Sequence, residues 1–144
     1  MFRSTVVALA LAAGFATGFA TFPANAETPK DMIAGYTQEA VRNQPGFAAS
    51  AERGRSFFVR KWNVTDKMPS CAACHGERPN AEGSHVITAK PIKPLAPAAN
   101  PERFSSLANV EKWFRRNCTE VVGRECSAAE KADFVQFLAT AGGA

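Results

Sequence analysis

Apolar residues in this chain recur three or four positions apart, as on a helix, and nowhere alternate convincingly as in a strand. Ser50 is placed to cap a helix running to about Trp62, with Gly54, Phe58 and Trp62 four apart on one face. Gly54 lacks a side chain there and lets a second helix approach closely. Val110, Trp113, Phe114 and Asn117 fall at i, i+3, i+4 and i+7, which predicts a helix over 107–117. Glu111, Lys112, Arg115 and Arg116 take its solvated side. Ser127 and Glu130 have capping-box spacing and open a last helix reaching about Ala141. Its Phe134, Phe137 and Leu138 share a face suited to pack on Gly54 and Phe58. Residues 27–46 hold Pro29, Gly35, Pro45 and Gly46, which predict short helix or irregular chain. Residues 79–103 carry Pro79, Pro91, Pro94, Pro97 and Pro101, too many for a regular helix.

The chemistry begins at Cys71-Ala72-Ala73-Cys74-His75. Two thiols three apart can each take one vinyl group of a porphyrin, and a histidine directly after them then falls under the iron. A redox dithiol would be expected beside a βαβ pattern, and a zinc site would want a second close cysteine pair. Neither is present, because Cys118 and Cys126 are too far apart to be such a pair. With this motif, the Gly54/Phe58 helix crossing an aromatic terminal helix resembles the small class I cytochrome c fold, which implies an all-α domain around one covalently bound haem c. The Pro-rich segment is then expected to wrap the haem edge.

The N-terminus has the pattern of a cleaved export signal. Arg3 precedes an apolar run from Val6 to Phe22, and Ala24-Asn25-Ala26 is a small-residue cleavage site. The run is too dilute in Ala, Gly and Thr for a good membrane span. Residues 1–26 are thus expected to be a signal peptide and residues 27–144 one mono-haem domain, exported to the bacterial periplasm. Loss of Arg3 takes the formal net charge from +4 to +3. Both signs are interspersed, so neither a nucleic-acid surface nor a membrane span after cleavage is expected.

The sixth iron position is the decisive question. Small electron-transfer cytochromes generally use a methionine well downstream of the haem motif, and here no methionine follows Met68. Met68 stands only three residues before Cys71, and His85, the other histidine, is expected on the proximal side. Asn117 lies on the apolar stripe, where an unpaired amide costs about 1–3 kcal/mol. It either terminates the helix or offers its amide oxygen to iron. Cys118 follows it directly, and with Cys71 and Cys74 taken by haem, Cys118 and Cys126 remain as a pair in an oxidising compartment.

From these residues the chain resembles the sphaeroides haem protein (SHP) type of bacterial cytochrome c. The resemblance is carried by Cys71-Ala72-Ala73-Cys74-His75, by Lys90-Pro91-Ile92-Lys93-Pro94-Leu95-Ala96-Pro97 and by Trp113-Phe114-Arg115-Arg116-Asn117-Cys118. It continues through Gly123-Arg124-Glu125-Cys126. The resemblance implies His75 and Asn117 as axial ligands, a Cys118–Cys126 disulfide, and an asparagine that lets go on reduction or ligand arrival. It further implies oxygen and nitric oxide as diatomic ligands, and a redox partner such as a dihaem cytochrome c or a membrane cytochrome b.

Other functions stay open beside this one. A plain electron carrier would use His85 or Met68 as ligand. A nitric oxide dioxygenase or weak peroxidase would need a distal group for turnover, and Arg115 and Arg116 are on the wrong face by periodicity. Lys90 and Lys93 are candidates for haem propionate contacts or are simply solvated. Trp62, Trp113 and Phe114 line the haem pocket or belong to ordinary core.

Overall fold

The structure is a computed structural model, and it describes residues 27–142. The expected signal peptide lies outside the described residues. Five helices form the body. They are α1 (Pro29–Asn43), α2 (Ala51–Val59), α3 (Cys71–His75), α4 (Leu107–Asn117) and α5 (Ala128–Thr140). Among the described residues the only strands are β1 (Gly83–Ser84) and β2 (Pro91–Ile92). They pair antiparallel, with Gly83 opposite Ile92 and Ser84 opposite Pro91. No described helix is long and apolar enough to cross a membrane.

The centre of the fold is the crossing of α2 on α5. A Cβ on Gly54 would lie 2.0 Å from the Asp133 carbonyl oxygen, so only glycine permits this approach. Asp133 is buried, and its carboxylate accepts from the Ser50 backbone N–H at 2.7 Å and from Arg53 Nε at 2.7 Å and Nη2 at 2.8 Å. A buried carboxylate is stable only with such partners, and these three tie the start of α2 to the middle of α5. Phe58 is fully buried and packs on Phe137 and Phe134, with ring centroids 5.6 and 6.1 Å away. The sequence pattern carried α2 to Trp62. The helix stops at Val59 instead, and the Trp62 backbone N–H donates to the Pro69 carbonyl at 2.7 Å.

α1 is a full helix, where short or irregular chain was expected. The breakers fall where they do no harm. Pro29 occupies the first turn, whose N–H groups have no intrahelical partner. Gly35 is on the exposed face, and Pro45 and Gly46 follow the last turn. Thr28 and Asp31 form a capping box, which supplies the start signal. Met32, Tyr36 and Ala40 recur four apart and are buried. The Tyr36 hydroxyl donates to Glu111 of α4 at 2.6 Å, and Lys131 of α5 donates to the same carboxylate at 2.7 Å. Glu111 is therefore a junction of three helices, not the solvated residue its position opposite the apolar stripe implied.

α4 keeps its expected bounds and is capped by Ser106, whose hydroxyl accepts from the Asn109 N–H. It then widens into a π-helical turn over Cys118–Val122, closed by Gly123 in the left-handed region (φ 78°). Ser127 and Glu130 form the expected capping box of α5.

Two glycine substitutions test this packing by guanidinium unfolding of the holoprotein. Gly54→Ala forces α2 off α5 and should cost at least about 1–3 kcal/mol, the range for overpacked cores. Gly35→Ala meets nothing within 4 Å and should instead stabilise by about 1 kcal/mol through helix propensity. Equal midpoints for the two variants would contradict the close crossing.

Candidate functional site

α3 is one and a half turns long, and it places Cys71, Cys74 and His75 at i, i+3 and i+4, on one side. Ser70 caps it, its hydroxyl accepting from the Ala73 N–H at 3.2 Å. The β-hairpin presses against its end, since a Cβ on Gly83 would fall 2.4 Å from the Cys74 carbonyl oxygen. All three chemical groups open on a cavity of about 580 Å³. Cys71 and Cys74 are not bonded to each other. Burial pushes the Cys71 thiol up to about 11, whereas a redox dithiol or a metal-binding pair works as thiolate. Among the described residues no cluster of three or more His, Cys, Asp or Glu is arranged to hold a metal ion. Burial, with the charge of Arg103 as second cause, pushes His75 down to about 4. Its imidazole is thus neutral at physiological pH, the form that ligates iron.

The rest of the wall is mostly apolar. Phe57, Phe134 and Leu138 come from the α2–α5 crossing, and Ile92, Leu95 and Phe104 from the Pro-rich segment and the 3-10 turn Pro101–Phe104 that follows it. From α4 and the π turn come Val110, Trp113, Phe114, Asn117, Val121 and Val122. Asn117 is the last residue of α4, exposed where the α-helix passes into the π turn. Its backbone is helical (φ −69°, ψ −37°), as is that of Cys118, and its side chain makes no capping hydrogen bond. It does not have the left-handed backbone with which an asparagine caps a helix end, and the chain continues as the π turn. Cys118 and Cys126 are disulfide-bonded, with Cα atoms 5.7 Å apart. The bridge joins the first residue of the π turn to the residue before the α5 cap.

The other candidates divide. Trp113, Phe114 and Lys93 border the cavity. Lys90 does not; it is exposed, and its carbonyl accepts from the His85 N–H at 2.9 Å. Trp62 does not either, and packs edge-on against Phe57, with centroids 5.1 Å apart. Met68 and His85 both reach the wall. His85 Nδ1 is engaged by the Ile87 and Thr88 N–H groups at 3.2 and 3.3 Å. Arg116, assigned by periodicity to the solvated side, borders the cavity and pairs with Glu120 at 3.1 Å. It is i+3 from Trp113, so a stripe one position wider would have included it. Arg103 also borders the cavity, and no sequence periodicity marks it.

An apolar cavity within the usual 300–1,000 Å³ of ligand pockets, with two unpaired thiols and a neutral histidine converging on it, fits covalently bound haem. Cys71 and Cys74 would hold the vinyl-derived carbons and His75 the iron. Fold and site together define a small c-type cytochrome. A family model described as a domain of unknown function, DUF1924, matches residues 44–138. Cytochrome c-type protein SHP of Cereibacter sphaeroides is 45% identical over 113 residues, covering 78% of this chain and 83% of that protein. Cytochrome c'' of Methylophilus methylotrophus is 35% identical over 119 residues, covering 81% and 83%. The structure of oxidised SHP, described as an oxygen-binding cytochrome c, is similar with a TM-score of 0.73 at 43% identity, over 81% of this chain and 99% of that one. A solution structure of cytochrome c'', described as bearing on haem-ligand detachment, has a TM-score of 0.66 at 35% identity, over 78% and 92%. The chain belongs to the SHP family of c-type cytochromes, and its cofactor is haem c.

Native holoprotein should therefore exceed its polypeptide mass by one haem and show no free thiol on denaturation without reductant. Haem extractable into acidified acetone, or alkylation of Cys71 or Cys74, would overturn the attachment.

Proposed function

We propose that this protein is a periplasmic mono-haem cytochrome c in which His75 and Asn117 are the axial donors, and in which Asn117 yields to oxygen or nitric oxide at reduced iron. One observation carries the reading: an asparagine with no capping hydrogen bond, at the junction of α4 and the π turn, borders the same cavity as Cys71, Cys74 and His75. Haem iron supplies the one-electron chemistry and the affinity for diatomic ligands. A neutral amide oxygen is a weaker donor than imidazole or thioether, and weakest towards ferrous iron. Asn117 is thus suited to hold the oxidised site and to leave it on reduction. Freed from iron, its NH₂ group becomes a hydrogen-bond donor inside the cavity. The disulfide at Cys118 limits how far the backbone can follow.

The likeness to an oxygen-binding cytochrome supports the ligand class, and the likeness to a cytochrome studied for ligand detachment supports a labile donor. A disulfide beside the site supports an oxidising compartment. Electrons come from a redox partner, with a dihaem cytochrome c or membrane cytochrome b as the class expected. A plain electron carrier is the second reading, since Met68 and His85 also border the cavity.

Ferric and ferrous spectra of wild type, Asn117→Val, Met68→Leu and His85→Ala separate the two. Asn117→Val should turn the ferric protein high-spin and speed cyanide binding at least about tenfold, equivalent to about 1.4 kcal/mol of barrier. Met68→Leu and His85→Ala should leave the spectra unchanged. If either of these alters the coordination spectrum and Asn117→Val does not, Asn117 is not the donor.

A further inference from the structure

Arg103 is the unexplained cation of the cavity. It sits in the 3-10 turn between the Pro-rich segment and α4, half-buried at the cavity wall. Arg53, Arg116 and Arg124 each face a carboxylate, Asp133, Glu120 and Glu130 respectively. Arg103 faces none within ion-pair distance among the described residues. Its partners are neutral: Nη2 donates to the Lys93 carbonyl at 2.6 Å and Nε to the Pro94 carbonyl at 3.2 Å. Asn100 Nδ2 donates to the same Pro94 carbonyl at 3.1 Å and steadies that segment. Of five guanidinium N–H groups, two are used, which orients the plane and leaves three for another partner. Carbonyls cancel no charge, and a partly buried cation needs a counter-charge.

The cofactor of this cavity carries two carboxylates. We propose that Arg103 binds a haem propionate and, as a fixed positive charge beside the haem, raises its reduction potential. A planar fork already oriented by two carbonyls matches a carboxylate in two-point geometry, which a lysine cannot do. Burial lowers the proton affinity of Arg103, a cost that a carboxylate partner would offset. Lys93, the sequence candidate that does reach the wall, is exposed, and Lys90 does not reach it. Arg116 is already paired with Glu120. The other titratable groups around the cavity are His75 on α3, His85 beside β1, Lys93 after β2, Glu102 beside Arg103, and the Arg116–Glu120 pair.

Spectroelectrochemical titration of holoprotein carrying Arg103→Gln, Arg103→Lys or Arg103→Leu tests the assignment. Gln keeps a donor for the loop carbonyls and removes the charge. It should lower the ferrous-to-ferric ratio at a fixed applied potential at least threefold, and Lys should recover part of that loss. Removing the cation also raises the propionate proton affinity, so the potential of Arg103→Gln should vary more steeply with pH across the neutral range. Coordination spectra should stay those of wild type, which keeps this result separate from the Asn117 reading. If Gln leaves the potential and its pH profile unchanged, or only Leu shifts them with a loss of stability, Arg103 is merely a clamp on the loop and the proposal fails.

Discussion

The crossing of α2 on α5 at Gly54 sets the geometry on which the remaining structure depends. The backbones meet so closely that no side chain fits between them, and the buried Asp133 carboxylate fixes the register through Ser50 and Arg53. Phe57, Phe134 and Leu138 are thereby held as one wall of the haem cavity. α1 packs on α5 and buries Met32, Tyr36 and Ala40, and Glu111 binds α4 to both. A domain of this size buries a modest core by itself. Lining a cavity with that core makes the cofactor part of the packing.

Reactive groups sit at the margins of this frame, where the backbone is least regular. α3 is a single short helix wedged by a glycine of the hairpin, so the two thiols and His75 are held by contact, not by helix length. Asn117 stands where α4 loosens into a π turn, a deviation often found at functional sites. The Cys118–Cys126 bridge closes a short loop across that seam and contributes about 2–3 kcal/mol in the chain-entropy model. On the proposed reading of Asn117 as a weak iron donor, a backbone tethered in this way would let the side chain leave without dragging the helix from the cavity.

Much of this was legible in the sequence because the signals were local. CxxCH, the caps at Ser50 and Ser127, Val110 and Phe114 on the stripe of α4 (whose Trp113 and Asn117 are exposed) and the bare face at Gly54 each depend on residues a few positions apart. The unread α1 shows the converse: Pro29 and Gly35 count as breakers until their places, first turn and exposed face, are known. The hairpin is too short to have a period. Lys90 and Lys93 were drawn from a loop with no register, and only one reaches the cavity. Arg103 and Arg116 reach it through tertiary placement that periodicity does not encode.

Structures of the holoprotein in oxidised and dithionite-reduced crystals test the Asn117 reading most directly. The oxidised form should show His75 and the Asn117 amide oxygen as the two axial donors, and the reduced form should show Asn117 withdrawn with the Cys118–Cys126 bridge intact. An oxidised structure with Met68 or His85 on the iron, or a reduced one with Asn117 still bound, would contradict it.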